Sequence, residues 1–152
     1  MKIEIYCASA SRDNGKPTQM AGCGIVLVAS DDHRQSKRRT MSFALSSSTV
    51  NLADIQVIRL ALCSILPAYR KSKIILYTTS KYVADLLHYD GDVYAMNPTK
   101  NTKEVDDMRR LVRSHNDISL ILECEECDDY IVAKRLAKYS LDSQNNTDSG
   151  TL

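Results

Sequence analysis

A change in hydrophobic period divides the chain into two parts and constrains its fold more than any other feature. Apolar and polar residues alternate over residues 2–8, and residues 20–30 and 40–46 also have strand character. From residue 52 to residue 69, apolar residues instead recur at helical spacing. The short polar connections between the first three strands predict an antiparallel meander.

The second part of the chain alternates helices with strands. Residues 73–78 and 118–122 are short apolar runs, typical of buried parallel strands. Further helices are predicted at residues 80–87, with Ser80 as N-cap, at 102–114 with Thr102 as N-cap, and at 128–137. This order predicts an α/β fold with a five-stranded mixed sheet, in which β-α-β units extend the meander and helices cover both faces.

The length of 152 residues suits one domain with its own core. The last stretch, residues 140–152, is rich in Ser, Asn, Asp and Thr and has no apolar period. We therefore predict one domain at residues 1–139, followed by a disordered polar tail at 140–152.

Cysteine number and hydropathy bear on the compartment. The five cysteines are an odd number, and a chain of this length does not need disulfides, so we expect a reducing, intracellular and cytoplasmic protein. No apolar run reaches 18 residues, and the first residues lack the pattern of a signal peptide. We expect no membrane partner.

The charges nearly cancel, with 20 Lys and Arg against 19 Asp and Glu. This balance excludes a protein that coats nucleic acid by bulk attraction, so any contact with nucleic acid must come from a local patch. The chain has eight tyrosines, one phenylalanine and no tryptophan. Stacking on bases would therefore use tyrosine.

Four segments, in order along the chain, resemble segments of one known family. They are residues 21–27 (AGCGIVL), 48–54 (STVNLAD), 77–83 (YTTSKYV) and 105–111 (VDDMRRL). In that family, the corresponding segments are, in the same order, a glycine-bearing second strand, the segment that leads into the first helix, the turn after the fourth strand, and the helix before the fifth strand. From about Ile3 to Lys138 the chain resembles type 1 ribonuclease H, which implies an RNase H-like fold.

The resemblance implies a cleft in which clustered carboxylates hold two Mg²⁺ ions and hydrolyse the RNA strand of an RNA–DNA hybrid. One of the family's four acids is kept here, as Asp54, which is one methylene shorter than the usual Glu. The other three positions fall on Ala8, Thr79 and Lys134. We therefore predict an RNase H fold without the standard metal site and without a cofactor. Mg²⁺ is expected only if a rearranged site keeps the enzyme active.

Other acids are poorly placed to replace the missing ones. Glu4 precedes Ala8 by roughly 13 Å of strand, and Asp129 precedes Lys134 by about 7.5 Å of helix. Asp13 lies in a predicted loop and could fold back towards the cleft. A relocated active site is thus the weaker alternative.

Two further patterns favour ordinary structural roles. Cys124 and Cys127 have the spacing of half a zinc site, but no second cysteine pair completes it, so no metal is predicted. Five acids lie in residues 123–129, where the resembled family has a longer loop with a histidine. A solvated turn is favoured there, and a site for a metal or a basic partner is the alternative. The three histidines form no catalytic pattern with Ser, Asp or Cys.

Basic residues form three groups along the sequence. These are Arg34, Lys37, Arg38 and Arg39; Lys100, Lys103, Arg109, Arg110 and Arg113; and Lys134, Arg135 and Lys138. The first group is interpreted as solvated residues in a connection between two strands. The third would place Lys134 in the former catalytic cleft, where it could contact a phosphate directly or neutralise Asp54.

Ser9, Asn51 and Lys81 fall where members of the resembled family contact the substrate backbone. Together with Lys134 they form the predicted nucleic-acid-binding site. The first hypothesis is a non-catalytic domain that binds RNA/DNA hybrid or duplex. Two alternatives stay open because a fold alone does not determine function. One is an interaction or scaffold module with a protein partner, and the other is an active hybrid ribonuclease with a rearranged metal site.

Overall fold

The first three strands pair as the predicted antiparallel meander. In the computed structural model, which describes residues 1–31, 34–91, 93–122 and 127–150, they are β1 (Lys2–Arg12), β2 (Met20–Asp31) and β3 (Arg34–Ser46). β1 is longer than predicted because its ladder with β2 continues to the pair Arg12 and Met20. Backbone pairing thus extends the strand into polar residues that composition assigns to a loop.

Helices and parallel strands follow in the predicted order. They are α1 (Val50–Cys63), a 3-10 turn (Pro67–Tyr69), β4 (Lys73–Thr78), α2 (Lys81–Leu87), the hairpin strands β5 (Tyr89–Asp90) and β6 (Val93–Tyr94), α3 (Thr102–Arg113), β7 (Asp117–Leu122), α4 (Asp128–Ser143) and β8 (Thr147–Gly150). α1 ends before its predicted end at Tyr69 because Leu66, which precedes Pro67, is held in an extended conformation.

The main sheet has six strands in the order β7-β4-β1-β2-β3-β8. β4 is parallel to both β1 and β7, and the remaining neighbours are antiparallel. The predicted α/β class with a mixed sheet is confirmed, with one strand more than expected. Within the described residues, no helix is long and apolar enough to span a membrane.

The carboxyl-terminal segment differs from the prediction of a disordered tail from residue 140. α4 continues to Ser143, and β8 pairs with β3. Ser140 and Leu141 are buried, and the Thr147 hydroxyl lies 2.6 Å from that of Ser42. The polar composition predicted disorder, but the polar side chains of β8 contact hydroxyl and charged groups on β3. Such contacts between distant segments cannot be recognised from composition.

Two glycines of β2 allow α4 to approach the sheet closely. A Cβ atom at Gly24 would lie 1.9 Å from the Ala133 carbonyl oxygen, and one at Gly22 would lie 2.1 Å from that of Ala137. The backbone of α4 therefore rests on the glycines themselves. This explains the glycine spacing within residues 21–27.

The alternation of β1 distributes its side chains between two cores. Ile3, Ile5 and Cys7 belong to the large core that includes residues of α1, α2 and α3. Tyr6 and Ala8 belong to a smaller core with α4. Because successive strand residues face opposite sides, Ala8 faces α4 and the next residue faces α1.

Candidate nucleic-acid interface

The four positions where the resembled family carries acids lie around the carboxyl ends of two parallel strands. β1 and β4 are paired up to Tyr6 and Tyr77, Ala8 lies in β1 just beyond this pairing, and Thr79 directly follows β4. Asp54 lies on α1 and Lys134 on α4, the helices on the two sides of the sheet. We call the surface formed by Ala8, Asp54, Thr79 and Lys134 the cleft.

Asp54 is held by hydroxyl groups. Ser9 Oγ donates a hydrogen bond to Asp54 Oδ1, and the Ser80 side chain also hydrogen-bonds to this carboxylate. Burial raises the pKa of Asp54 above its ordinary value, and these two hydrogen bonds oppose the rise. The carboxylate therefore joins β1, α1 and the start of α2.

Thr79 is joined to a residue that sequence reasoning missed. Its hydroxyl lies 2.7 Å from that of Tyr130 on α4. Tyr130 is 2% exposed, and burial is the main cause that raises the pKa of its phenol. The sequence could have indicated Tyr130 by its position four residues before Lys134, because this spacing puts both residues on one face of the helix.

Lys134 is exposed and lies beside the same tyrosine. Its Nζ atom is 6.0 Å from the centre of the Tyr130 ring, at the outer limit of a cation–π contact. Among the described residues Lys134 forms no ion pair, so the pairing with Asp54 that the sequence left open is not formed. Among the described residues, no acid therefore competes with a ligand for this ammonium group.

The residues of the cleft do not fit a pair of Mg²⁺ ions. Such ions require several carboxylate or carbonyl oxygens. Ala8 offers none from its side chain, Thr79 is bonded to Tyr130, and Lys134 would repel a cation. Within the described part of the chain, no group of three His, Cys, Asp or Glu side chains could hold a metal.

The acids considered as replacements have other partners. Glu4 accepts hydrogen bonds from the hydroxyls of Tyr6 and Tyr77, at 3.2 and 3.0 Å. Asp129 pairs with Arg38 at 3.0 Å. Asp13 accepts a hydrogen bond from Thr18 at 3.1 Å. The predictions for Cys124 and for the acids at residues 123–126 concern residues outside the described ranges.

A groove rich in cations adjoins the cleft on the α4 side. It has a volume of about 520 Å³ and starts at Ser9. Its charged lining residues are Arg12, Lys134, Arg135, Lys138 and Asp142. Asp142 is the only acid among the lining residues described, and it pairs with Arg12 at 2.5 Å. We call this surface the basic groove.

A second, polar pocket lies at the start of α1. It has a volume of about 750 Å³, and Asn51 lines it. Asn14 and Thr49 shape this pocket, since their side chains accept hydrogen bonds from the backbone N–H groups of Val50 and Leu52. Further polar lining residues are Asn97, Thr99, Lys100 and Asn101. We call it the amide pocket.

The structure brings some predicted binding residues together more closely than others. Ser9 and Lys134 both line the basic groove, and Ser9 also contacts Asp54. Asn51 lies separately in the amide pocket. Lys81 is exposed at the first position of α2, directly after Ser80.

Comparison with known proteins finds similarity in structure alone. Neither a family model nor a curated protein matches the sequence. The structure is similar to LC9-RNase H1, a type 1 RNase H with the type 2 active-site motif, with a TM-score of 0.79 and 13% identity over 99% of this chain and 77% of that chain. It is also similar to LC11-RNase H1 in complex with RNA/DNA hybrid, with a TM-score of 0.70 and 15% identity over 93% of this chain and 98% of that chain.

Part of a viral protease-reverse transcriptase is also similar to this chain. The foamy viral protease-reverse transcriptase in complex with RNA/DNA hybrid matches with a TM-score of 0.71 and 15% identity, over 93% of this chain and 20% of that chain. At these identities the likeness defines the fold. The chain is an RNase H-like domain, an α/β structure whose mixed six-stranded sheet carries four α-helices.

Proposed function

We propose that this chain is a catalytically degenerate relative of type 1 ribonuclease H, which binds RNA/DNA hybrid or duplex through the cleft without cleaving it. The observation that carries the proposal is Lys134, a cation at a position where the resembled family has an acid, and one without an ion pair in the described part of the chain. It stands at the junction of the cleft and the basic groove. A cation there attracts a phosphate directly and removes the need for a metal.

The arrangement of polar groups favours a nucleic-acid backbone as the ligand. The basic groove supplies Arg12, Lys134, Arg135 and Lys138, whereas the whole chain has a net charge of only +1. The amide pocket adds neutral amide and hydroxyl groups. Lys, Arg, Ser and Asn side chains are the usual partners of backbone phosphates. The similar LC11-RNase H1 structure, which contains an RNA/DNA hybrid, supports the same class of ligand.

The contacts of Asp54 support the proposed absence of cleavage. Asp54 is bonded by Ser9 and Ser80, and its raised pKa marks a carboxylate that is partly removed from water. It acts here as a structural acceptor that ties the end of β1 to the two helix starts. We also propose the reducing, cytoplasmic location expected from the sequence, which is consistent with free thiols at Cys7, Cys23, Cys63 and Cys127.

One experiment tests this function. Labelled single strand, duplex and hybrid are incubated with the full chain, with and without Mg²⁺ or Mn²⁺, and both mobility shift and cleavage are measured. We expect salt-dependent binding of hybrid or duplex, weakened by Lys134→Glu, and no cleavage. The matched control is Lys71→Glu, an equal charge change at an exposed residue before β4.

Two results would overturn the proposal. A lack of any shift at low salt would leave the protein-interaction alternative. Metal-dependent cleavage that is abolished by Asp54→Asn would instead establish an active nuclease with a rearranged site.

A further inference from the structure

Three arginines from three elements surround a cavity far from the cleft. Arg59 lies on α1, Arg70 follows the 3-10 turn, and Arg110 lies near the end of α3. The cavity has a volume of about 360 Å³, within the range of sites for small ligands. Its other lining residues are Asp107, Leu111 and Ser114. We call it the arginine cavity.

The arginine cavity and the cleft lie at opposite ends of the parallel strands. Arg70 precedes β4, and Ser114 precedes β7, so the cavity lies at the amino ends of these strands. The cleft lies at the carboxyl ends of β1 and β4. A ligand in the cavity therefore occupies a site that is separate from the proposed nucleic-acid interface.

The charges in the arginine cavity are unbalanced. Asp107 is the one acid among the described lining residues, and its two oxygens meet Arg59 at 3.1 Å and Arg110 at 3.4 Å. Arg70 has no ion pair in the described part of the chain. Three guanidinium groups thus line a cavity with a single carboxylate, so the described lining has a net charge of +2.

One of the arginines, Arg59, is held in place before any ligand arrives. Gln56 accepts a hydrogen bond from Arg59 Nη1 at 2.7 Å, while Asp107 fixes Arg59 Nη2. Asp107 also contacts Arg110, whose side chain is 78% exposed. Guanidinium groups that are already oriented lose less conformational entropy when they bind an anion.

We propose that the arginine cavity binds a phosphate dianion, as free phosphate or as the phosphoryl group of a phosphate monoester. A dianion matches the net charge of +2 of the described lining residues. Its oxygens can accept from all three guanidinium groups, whereas a carboxylate has one charge and two oxygens. A phosphodiester backbone carries one charge per phosphate and matches the cavity less well.

The test is a calorimetric titration of the full chain with inorganic phosphate at constant ionic strength. We expect saturable binding that weakens as the pH falls and the phosphate dianion takes up a proton. Arg110→Gln and Arg70→Gln should each weaken binding by about tenfold. Both side chains are exposed, so neither change threatens the fold.

The matched control is Arg113→Gln on the same helix. Arg113 lies against Tyr89 and Tyr94 and does not line the arginine cavity, so phosphate affinity should be unchanged. Lys134→Glu should also leave phosphate affinity unchanged, which separates this site from the cleft. The phosphate proposal can therefore fail without affecting the nucleic-acid proposal, and the nucleic-acid proposal can fail without affecting the phosphate proposal.

Titrations with a mononucleotide 5′-phosphate and with an unphosphorylated oligonucleotide distinguish the sources of phosphate. Binding of the mononucleotide with the same sensitivity to Arg110→Gln supports a monoester ligand. Preferential binding of the oligonucleotide with that sensitivity would overturn the proposal in favour of a backbone contact. A lack of saturation at about 10 mM phosphate, or an equal loss with Arg113→Gln, would also overturn it.

Discussion

The hydroxyl of Ser9 donates a hydrogen bond to the carboxylate of Asp54, 45 residues further along the chain. This contact joins the end of β1 to α1 at the place where the resembled family would hold metal ions. At the neighbouring positions where the resembled family has acids, this chain has Ala8, Thr79 and Lys134. The remaining carboxylate therefore serves the packing of the cleft, and this role has measurable consequences.

Asp54→Asn should stabilise the protein at neutral pH. Burial raises the folded-state pKa of Asp54 above 3.8, and the hydrogen bonds from Ser9 and Ser80 oppose this only in part. Between 3.8 and the raised pKa, the folded chain binds more protons than the unfolded chain, so the free energy of unfolding falls as the pH rises through this window. Asparagine is uncharged, so it removes the cost of burying an ionised carboxylate, and its side-chain oxygen can still accept a hydrogen bond from Ser9. We expect the free energy of unfolding to rise by up to about 1 kcal/mol at pH 7.

Urea unfolding of both proteins from pH 3 to pH 8 measures this effect. For Asp54→Asn, the free energy of unfolding should vary less with pH between 3.8 and the raised pKa of Asp54. Asp85→Asn, at an exposed position of α2, is the control and should follow the wild type. A lower stability of Asp54→Asn at pH 7 would contradict the assignment of a buried, destabilised carboxylate.

Tyr130→Phe should weaken the attachment of α4 to the turn after β4. The Tyr130 hydroxyl is paired with Thr79 at 2.7 Å, and its loss should cost about 1 kcal/mol of unfolding free energy. Denaturant midpoints provide the measurement. Tyr139→Phe on the same helix is the control, because Tyr139 is 47% exposed and should tolerate the change. Equal effects of the two substitutions would argue against a specific role for the Tyr130 hydroxyl.

Gly24→Ala should destabilise the fold strongly. Its Cβ atom would lie 1.9 Å from the Ala133 carbonyl oxygen, so α4 must move away from the sheet. Overpacking of this kind costs about 3 kcal/mol. At Gly15 a Cβ meets nothing within 4 Å, and Gly15→Ala should cost only the strain of its positive φ, about 1 kcal/mol. Similar melting temperatures for the two variants would show that α4 does not rest on β2 in this way.

Asp148→Asn should loosen β8. Arg39 donates to both oxygens of Asp148, at 2.9 and 2.7 Å, and this pairing lowers the pKa of Asp148 below 3.8. Its stabilising contribution is therefore complete above pH 3.8 and is lost as the pH falls through the lowered folded-state pKa. Because Asp148 is largely exposed, we expect a loss of less than about 1 kcal/mol.

Amide hydrogen exchange of β3 residues reports directly on this strand. Asp148→Asn should speed exchange where β3 pairs with β8, at Arg39 to Ser42, and leave the β1–β2 ladder unchanged. Asp31→Asn is the control, since Asp31 is exposed at the end of β2 and lies outside the ladder between β3 and β8. Unchanged protection of β3 in Asp148→Asn would show that the backbone ladder alone holds β8.

Lys134→Glu should reduce both the affinity for hybrid and the salt dependence of binding. If Lys134 meets one phosphate, the slope of log K against log salt should fall by about 1. Fluorescence anisotropy at several salt concentrations measures the slope. An unchanged slope with Lys134→Glu would remove this residue from the interface.

The most accurate sequence predictions concern segments with strong local signals. The apolar run at residues 73–78 has the observed bounds of β4, and Ser80 caps α2 by accepting from the Val83 N–H at 3.2 Å. At α3, in contrast, Thr102 is the first helical residue, and Asn101, in a left-handed conformation, is the N-cap. A cap of this kind depends on the preceding loop, which propensity does not describe.

The sequence by itself determined the α/β class and the order of the main elements, which follow from local periodicity. The family resemblance adds the expectation that Ala8, Thr79 and Lys134 occupy positions of acids in that family. Only the tertiary structure decided that Ser9 meets Asp54, that Thr79 meets Tyr130, and that residues 147–150 form a sixth strand. The physical reason is that hydrogen bonds and strand pairing join groups far apart in sequence, and their partners are chosen only when the sheet and helices pack.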